Sequence, residues 1–157
     1  NLLKLTERVD IAIEIGESYY REFKSGFEGP PEKKSPRKLS EIKYDIAKTL
    51  VAFANADGGE LFVGIEDDNS ITGLAHSDTE VNEIFKASTD NILKETPISL
   101  KQSAIINYKK LKILYFAVNK GSDFVHLTSK GECFQRKDRD SVPTASELIR
   151  FERDEKA

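Results

Sequence analysis

The stretch AFANADGGELFVGIEDD, residues 52–68, decides the fold. It begins as the last turns of an apolar helix, is interrupted by Gly58 and Gly59, and continues as a run rich in branched and aromatic side chains. Paired glycines end a helix because they adopt backbone conformations that other residues resist. An apolar run such as 60–66 is typical of a buried strand. We therefore predict a helix, a buried strand and then a turn at Asp67-Asp68-Asn69.

The helix that ends at this point is predicted to begin near Ser40, which is a good N-cap residue, and to run to about Asn55. Its apolar side chains recur at helical spacing and form one stripe: Ile42, Ile46, Leu50 and Phe53. Before it, residues 18–24 are aromatic-rich and predict a strand, whereas residues 2–15 fit either a short helix or an extended lead-in. The intervening segment 26–38 holds three prolines and is predicted to be a flexible loop without regular structure.

The second half of the chain predicts one more helix and a series of short strands. A capping box of Ser77 and Glu80 begins the helix, which is predicted to end before Pro97. Its predicted buried face is Val81, Ile84, Phe85, Ile92 and Leu93. The later elements are strands at 102–108 and 111–118 joined by Lys109-Lys110, short strands near 124–128 and 132–137 across Lys130-Gly131, and a helix at about 145–155. The segment 71–74 is predicted to be extended.

These elements predict one α+β domain over residues 1–157, with a mostly antiparallel sheet flanked by two or three helices. No apolar run approaches the roughly 18 residues that span a bilayer, so we expect no membrane partner. The single Cys133 excludes an internal disulfide and a multi-cysteine zinc site. We accordingly expect a cytoplasmic protein.

Charge is distributed unevenly along a chain whose net charge is −3. Residues 1–80 hold ten basic against sixteen acidic residues, whereas residues 101–139 hold nine basic against three acidic. Such asymmetry can create a basic face on an acidic protein. Solvated lysines on exposed strands explain the same pattern equally well, and both readings stay open.

Three motifs occur in order along the chain: ESYYREFK at 17–24, the stretch at 52–68, and FQRK at 134–137 followed by Ser141, Pro143 and Thr144. Together they resemble the Schlafen AlbA-like family. In that family an E-S-x-x-x-E-F-K strand precedes a helix ending A-F-A-N-x-D-G-G, then a strand, and finally a Y-x-R-x-x-S element. The resemblance covers residues 15–152. The last motif departs from the family pattern, because Cys133-Phe134-Gln135 replaces its usual aromatic residue.

The resemblance implies that the chain acts on nucleic acid. In one branch of the family, two glutamates of the first strand and an acid after the second form a three-carboxylate site that cleaves structured RNA such as tRNA with a divalent cation. Carried onto this sequence, the catalytic and metal-binding residues would be Glu17, Glu22 and Asp67, with Mg²⁺ or Mn²⁺ as the cofactor. Such ions prefer hard oxygen ligands, and a bound ion polarises phosphate and generates hydroxide. RNA is the favoured partner over DNA.

A second branch implies a different function. There the domain is the N-terminal part of longer proteins, as a noncatalytic DNA- or RNA-binding module of transcriptional regulators or helicase-like proteins, and no cofactor is expected. If this chain follows the second branch, we expect it to be the N-terminal part of a longer protein. An older ATP-binding label for such proteins has no support here, because the sequence contains no P-loop motif.

The spacing of the two glutamates sets a geometric condition. Glu17 and Glu22 are five residues apart, so a regular strand would point them to opposite faces. Gly16-Glu17 must therefore lie in a turn or bulge before the strand if the two carboxylates are to meet. Without that convergence, Glu22 would be a solvated edge residue and Asp67 part of an ordinary turn.

Basic residues around these motifs are the predicted nucleic-acid contacts. Arg136 is expected either to hold a phosphate or to pin a nearby carboxylate such as Asp138 or Asp140. Lys24 shares the strand face of Glu22. The full predicted binding set is Lys24, Lys33, Lys34, Arg37, Lys38, Arg136, Lys137 and Arg139.

Overall fold

The computed structural model describes residues 2–156, and the side chains of residues 4–156; the two ends of the predicted domain, residues 1 and 157, lie outside the described residues. The helices are α1 (Leu2–Ile15), α2 (Leu39–Ala54), α3 (Asp78–Phe85), α4 (Ala87–Asp90) and α5 (Ser146–Lys156). The strands are β1 (Arg21–Lys24), β2 (Phe27–Glu28), β3 (Ser35–Pro36), β4 (Gly59–Val63), β5 (Leu100–Tyr108), β6 (Leu111–Val118), β7 (Phe134–Lys137) and β8 (Asp140–Pro143). The predicted α+β class is confirmed.

A four-stranded sheet in the order β1-β4-β6-β5 forms the centre of the fold. The contacts of β4 with β6 and of β5 with β6 are antiparallel, as predicted, whereas β1 lies parallel to β4 at the edge. The β5–β6 hairpin turns at Lys109 and Lys110, which both have positive φ. That conformation matches the twist of two-residue hairpins. The sequence therefore placed the central hairpin correctly.

Helices cover both faces of this sheet. On one face, Leu61 and Val63 of β4 pack with Phe116 of β6 against α2 and α3. On the other face, Phe23 of β1 and Phe62 of β4 pack against α1. Side chains alternate along a strand, so Glu22 and Lys24 of β1 lie on the α2 face. The edge strand thus presents its charged residues beside α2.

The two helices with the clearest patterns have well-defined buried stripes. The predicted stripe of α2 is fully buried from Ile42 to Phe53. The helix begins at Leu39, however, with Lys38 at the N-cap and no side-chain cap bond, so Ser40 lies inside the first turn and the predicted N-cap is wrong. The ambiguous segment 2–15 is helical because Leu5, Val9 and Ala12 form a buried stripe at helical spacing.

The segment 26–38 is more regular than predicted. Strands β2 and β3 pair antiparallel within it, Phe27 with Pro36 and Glu28 with Ser35. Proline is compatible with such a pair because it can occupy an edge position where its missing N–H is not needed. The prediction that its prolines forbid regular structure is therefore wrong.

The segment predicted as one long helix after Ser77 is two short ones. The capping box of Ser77 and Glu80 is present, and Val81 and Ile84 are buried as predicted. The chain leaves helical geometry after Phe85, and only a single turn, α4, follows. The N–H of Lys86 bonds the carbonyl of Glu83 at 3.1 Å, a bond over three residues that tightens the last turn of α3. Ile92 and Leu93 therefore lie beyond the helices.

The last predicted strand pair is also different. Residues 124–128 form no strand; Thr128 makes only an isolated bridge to Ile92, and β7 pairs instead with β8, which the sequence analysis missed. The side chain of Asn55 explains the difference. Its amide bonds both the N–H and the carbonyl of His126 and donates to the carbonyl of Phe134, at 2.7, 2.9 and 2.9 Å. This buried side chain takes the place of a strand partner.

Because Gly59 has no side chain, the start of β4 can lie close to Phe53 of α2 and to the backbone of Tyr20. A Cβ atom at this position would lie 2.5 Å from the ring of Phe53 and 2.9 Å from the carbonyl oxygen of Tyr20. The preceding Gly58 has φ +79°, a conformation that favours glycine. The glycine pair thus ends α2 and brings β4 directly against the strand that carries Glu22.

Candidate functional site

Glu17 and Glu22 converge because the chain reverses direction between them. Ser18 and Arg21 exchange two backbone hydrogen bonds, N–H to carbonyl, at 2.9 and 3.2 Å. This reciprocal pair is the pattern of an antiparallel bridge closed by a two-residue turn, Tyr19-Tyr20. The next residues outward are Glu17 on one side and Glu22 on the other, and cross-strand neighbours lie close together. The spacing of five residues is therefore the spacing of a tight reversal.

Gly16 makes this reversal possible. Helix α1 ends at Ile15, and the N–H of Gly16 bonds the carbonyl of Ala12 at 2.7 Å. Gly16 has φ +77°, which turns the chain out of the helix at once. Glu17 thus lies in a turn before β1. This is the arrangement that the five-residue spacing requires if the carboxylates of Glu17 and Glu22 are to meet.

The carboxyl group of Glu17 is held in a confined and acidic setting. Its side chain is only 9% exposed, and its Oε2 accepts the N–H of Phe23 at 3.0 Å. It also shares a hydrogen bond with the carboxyl of Glu22, and the charge of Asp67 acts on it. Burial first, and then these two acids, raise the pKa of Glu17 to about 7, although the Phe23 N–H works in the opposite direction. Near neutral pH, the Glu17 carboxyl is therefore partly protonated.

Arg136 from β7 neutralises Glu22. Its Nη1 donates to Oε1 of Glu22 at 2.6 Å, and the arginine side chain is fully buried. The remaining donors bond backbone carbonyls in the turn: Nε bonds Tyr19, and Nη2 bonds Ser18 and Arg21, at 3.1, 2.8 and 3.3 Å. Its guanidinium also lies over the ring of Phe53. Of the two predicted roles, Arg136 pins a carboxylate, but the carboxylate is Glu22 rather than Asp138 or Asp140.

This arginine is a poor phosphate contact, because four of its five N–H groups already bond the protein. Every nitrogen of its guanidinium bonds the protein, and solvent does not reach the side chain. Arg136 therefore holds the turn at residues 18–21 and the carboxylate of Glu22 in place. A signal for this role was present in the sequence: Arg136 follows Phe134 by two residues in a predicted strand, so that it shares the face of an apolar side chain.

Arg139 lies beside the other glutamate. Its Nη2 is 3.8 Å from Oε1 of Glu17, and its side chain is 67% exposed. Asp138, which has φ +54°, turns the chain between β7 and β8. The β7–β8 hairpin thus brings one buried and one exposed arginine to the two glutamates. Arg139 had been predicted only as a nucleic-acid contact, and for neither arginine had Glu17 or Glu22 been predicted as the partner.

Asp67 lies at the end of β4 in the predicted turn, exposed to solvent. It is close enough for its charge to raise the pKa of Glu17. The neighbouring Glu66 has a different role, because its Oε2 accepts the hydroxyls of Ser25 and Thr72 at 2.7 and 2.5 Å. The structure therefore brings the three predicted acids into one electrostatic neighbourhood. Over residues 2–156, no three histidine, cysteine, aspartate or glutamate side chains gather closely enough to hold a metal ion.

Two of the predicted nucleic-acid contacts form an ion-pair network on the α2 face. Lys24 and Arg37 both bind Asp45, at 2.9 and 3.0 Å. Burial opposes ionisation of Asp45, but the two cations outweigh it and lower its pKa. Their charges are thus already matched within the protein, and they are poor candidates for phosphate contact.

The other predicted contacts are free to meet solvent. Lys33 and Lys34 are exposed in the turn between β2 and β3, and Lys38 and Lys137 are exposed at the ends of their elements. With Arg139 they form the accessible part of the predicted basic set. None of the described helices is long and apolar enough to cross a membrane.

The fold and this arrangement of motifs agree with a family comparison. The model of the Schlafen AlbA_2 family matches residues 17–145, most of the chain. The chain therefore belongs to the Schlafen AlbA_2 family, which confirms the resemblance found in the motifs. Membership supports a nucleic-acid-related function. Helix α1 and helix α5 lie outside the matched residues.

Two solved structures match the chain at low sequence identity, and the first of them has a similar fold. The DIP2311 protein from Corynebacterium diphtheriae is 20% identical, with a TM-score of 0.59, over 86% of this chain and 27% of that one. The N-terminal domain of a RecG-related protein from Nitrosomonas europaea is 21% identical, with a TM-score of 0.41, over 73% and 72% of the two chains. The chain thus spans about a quarter of the length of the first of these proteins.

Proposed function

We propose that this chain is a divalent-cation-dependent endoribonuclease that acts on structured RNA such as tRNA through Glu17, Glu22 and Asp67. The observation that carries the proposal is the convergence of Glu17 and Glu22 across the Ser18–Arg21 reversal, where Glu17 is only 9% exposed and its pKa is raised. Two carboxylates held together need a positive species between them. A strongly perturbed acid in such a cluster is a mark of a functional site.

The donor chemistry of these acids fits Mg²⁺ or Mn²⁺, which prefer carboxylate oxygens and keep several water ligands. Glu17, Glu22 and Asp67 would hold the ion, and when bound it would polarise a phosphate and supply hydroxide. The three do not form a ready ligand set without it. Asp67 is the most exposed of the three.

The protein residues around the pair have separate tasks in this proposal. Arg136 fixes the Glu22 carboxylate, so that only one of its oxygens remains for other partners. Arg139 is exposed and 3.8 Å from Glu17, where it can meet a backbone phosphate that approaches the acids. The N–H of Phe23 orients the Glu17 carboxyl. The exposed lysines Lys33, Lys34, Lys38 and Lys137 supply sequence-independent contacts to the backbone.

A second function is favoured by a specific observation. Glu22 is already neutralised by a buried arginine, and such a pair can persist as a purely structural clamp. The chain would then be a noncatalytic DNA- or RNA-binding module of a transcriptional regulator or a helicase-like protein. The two functions differ in whether RNA is cut, and in whether metal is needed.

A cleavage assay on labelled tRNA and single-stranded DNA, with Mn²⁺, Mg²⁺, Ca²⁺ or EDTA, separates them. We expect cleavage of the tRNA with Mn²⁺ and Mg²⁺, little with Ca²⁺, and none with EDTA. Asp67→Asn should abolish cleavage while binding and fold persist, because it removes a charged ligand and keeps the side-chain shape. Asp68→Asn is the matched control, since Asp68 is the adjacent acid and does not influence Glu17.

The pH dependence gives a second readout. Cleavage should rise as the pH increases through about 7, because Glu17 must lose its proton before both carboxylates can bind a cation. Wild-type protein that binds RNA but never cuts it with any of these ions would establish the binding module instead. Cleavage that survives Asp67→Asn would contradict the role of Asp67, and cleavage that survives Glu17→Gln, Glu22→Gln and Asp67→Asn alike would mean that another nuclease is present in the preparation.

A further inference from the structure

A cationic pocket lies on the other side of Arg136, between the end of α2, strand β7 and helix α5. Its volume is about 210 Å³. Besides Arg136, which is paired with Glu22, four basic residues line it: Lys120, Lys137, Arg153 and Lys156. Arg153 and Lys156 belong to α5, which lies outside the residues matched by the family model. The pocket therefore depends on a helix added to the part of the chain that matches the family.

Arg153 is the central observation. Its Nη1 donates to the carbonyl of Phe124 at 2.6 Å, whereas its Nη2 is buried and has no hydrogen-bond partner. No carboxylate among the described residues lies within ion-pair distance of it. The Arg153 side chain is partly exposed, but its buried Nη2 has lost water without gaining a partner, which is costly and indicates a missing acceptor.

The acids of the pocket do not supply that acceptor. Oδ2 of Asp57 accepts the hydroxyl of Tyr19 at 2.7 Å, and Oδ1 lies 3.4 Å from Nζ of Lys120. Oε2 of Glu152 accepts from Gln135 at 3.4 Å. Four cations therefore face two carboxylates that are already engaged, which leaves an excess of positive charge in a concave site.

We propose that this pocket binds a phosphate group. A phosphate offers several acceptor oxygens, which suit the fork of Arg153 together with the point charges of Lys137 and Lys156. We assign it to the nucleic-acid strand, and this part of the proposal rests on the proposed function. Arg136 borders both sites, because it lines the pocket and bonds Glu22. A phosphate held here would therefore place a neighbouring segment of the strand at the carboxylates.

Titration with inorganic phosphate at constant ionic strength, followed by calorimetry and by amide chemical shifts, tests the pocket without any nucleic acid. We expect saturable binding with shifts at Gln135, Lys137 and Arg153. Arg153→Gln should weaken it about tenfold, the value of a charge-assisted hydrogen bond. Arg150→Gln is the matched control, because it removes the same charge from the same helix outside the pocket and should change affinity less than about twofold.

A second variant tests whether Arg153→Gln weakens phosphate binding only because it shifts α5. Lys137→Gln with Lys156→Gln removes two exposed charges and should weaken phosphate binding about fivefold. Absence of saturable binding to the wild type would overturn the proposal. So would equal weakening by Arg153→Gln and Arg150→Gln, which would indicate only a general attraction.

Competition with RNA distinguishes the sources of the phosphate. Inorganic phosphate should displace an RNA oligonucleotide from the wild type. A preference for a 5′-phosphorylated oligonucleotide over its 5′-hydroxyl form would assign a terminal phosphate, and equal displacement of both would assign an internal one. If phosphate binds but displaces neither RNA, the strand assignment is overturned. Loss of cleavage alone, with displacement intact, would overturn the proposed nuclease and leave the pocket standing.

Discussion

Arg136 shows how a side chain that is predicted as a ligand contact can be a structural centre. It joins β7 to the Glu17–Glu22 reversal through four hydrogen bonds, and Phe53 of α2 covers its guanidinium. The cation compensates the charge of Glu22, and the planar fork fits the carbonyls of the turn. The geometry of the carboxylate pair therefore depends on a residue that touches no solvent.

Arg136→Lys should lower the free energy of unfolding by about 2 kcal/mol, because lysine keeps the charge but cannot reach several carbonyls at once. Denaturant unfolding at pH 7 measures this change. Arg139→Lys is the matched control in the same hairpin, and since Arg139 is exposed it should change stability by less than about 0.5 kcal/mol. Equal effects of the two substitutions would contradict the clamp role of Arg136.

At alkaline pH, the charged Glu17 should lower the free energy of unfolding relative to a protein with an uncharged residue at this position. Its pKa is about 7 in the folded protein and near 4.5 when unfolded, so the folded state holds the extra proton between these values. Its contribution to stability is therefore present below about pH 4.5 and is lost as the pH rises through 7. Glu17→Gln, which mimics the protonated acid, should be more stable than wild type by about 1 kcal/mol at pH 8.

The stability difference should disappear below pH 4.5, and thermal unfolding across this range measures it. A constant difference at every pH would mean that the substitution acts through packing rather than through charge. Glu14→Gln, on the exposed surface of α1, is a suitable control and should show no such pH dependence.

The sequence predicted the acids of this site better than their partners. Glu17, Glu22 and Asp67 follow from motifs, and the odd spacing of the first two correctly required a turn at Gly16. The partners of these acids come from residues more than a hundred positions away, such as Arg136. Periodicity and spacing describe local structure only, so they could not show that Arg136 meets Glu22. Asn55 was missed for the same reason, because its bonds reach residues 126 and 134.

At the scale of elements, segments with a clear hydrophobic pattern in the sequence were predicted correctly, and segments with a weak pattern were not. Helix α2 and the β5–β6 hairpin have clear periodicity and followed it. The segments at 26–38 and 124–143 contain strands of two to four residues, which carry too few side chains for a pattern. Their structure is decided by tertiary contacts, such as the amide of Asn55.

The β2–β3 hairpin supplies an element-scale test of nucleic-acid binding. Lys33→Gln with Lys34→Gln should reduce the log–log salt slope of binding to single strands by about 1.4, because each lost phosphate contact changes it by roughly 0.7. Stability should be unchanged, since both side chains are exposed. The same measurement on Lys86→Gln with Lys94→Gln removes equal charge outside the predicted contacts. An equal change in slope would refute a specific role for the hairpin.

At the scale of the whole molecule, net charge conceals the local charge that matters for binding. The chain carries −3 overall, yet residues 101–139 have a balance of +6. Several acids of the first half are matched internally, as Asp45 is by Lys24 and Arg37. The net charge of the chain therefore does not describe the charge of the segment 101–139.

Contact with about four phosphates should give a log–log salt slope near −3 on single strands. Fluorescence anisotropy from 50 to 300 mM KCl would measure it, with oligonucleotides of different sequence. We expect similar slopes for all of them, because backbone contacts carry no sequence information. Affinity that does not depend on salt would contradict a backbone-binding surface.

At the tight reversal of Tyr19-Tyr20, the distance between Glu17 and Glu22 is set by the number of residues in the turn and not by which residues they are. The turn bonds Arg136 through the carbonyls of Ser18, Tyr19 and Arg21, and the carboxylates meet because equal numbers of residues lie on either side of the turn. Substitution of the two tyrosines should thus be tolerated at this pair, whereas insertion or deletion of one residue would separate the acids. Among natural variants of this chain, mutations that preserve length should accumulate in this turn, and mutations that change its length should be absent.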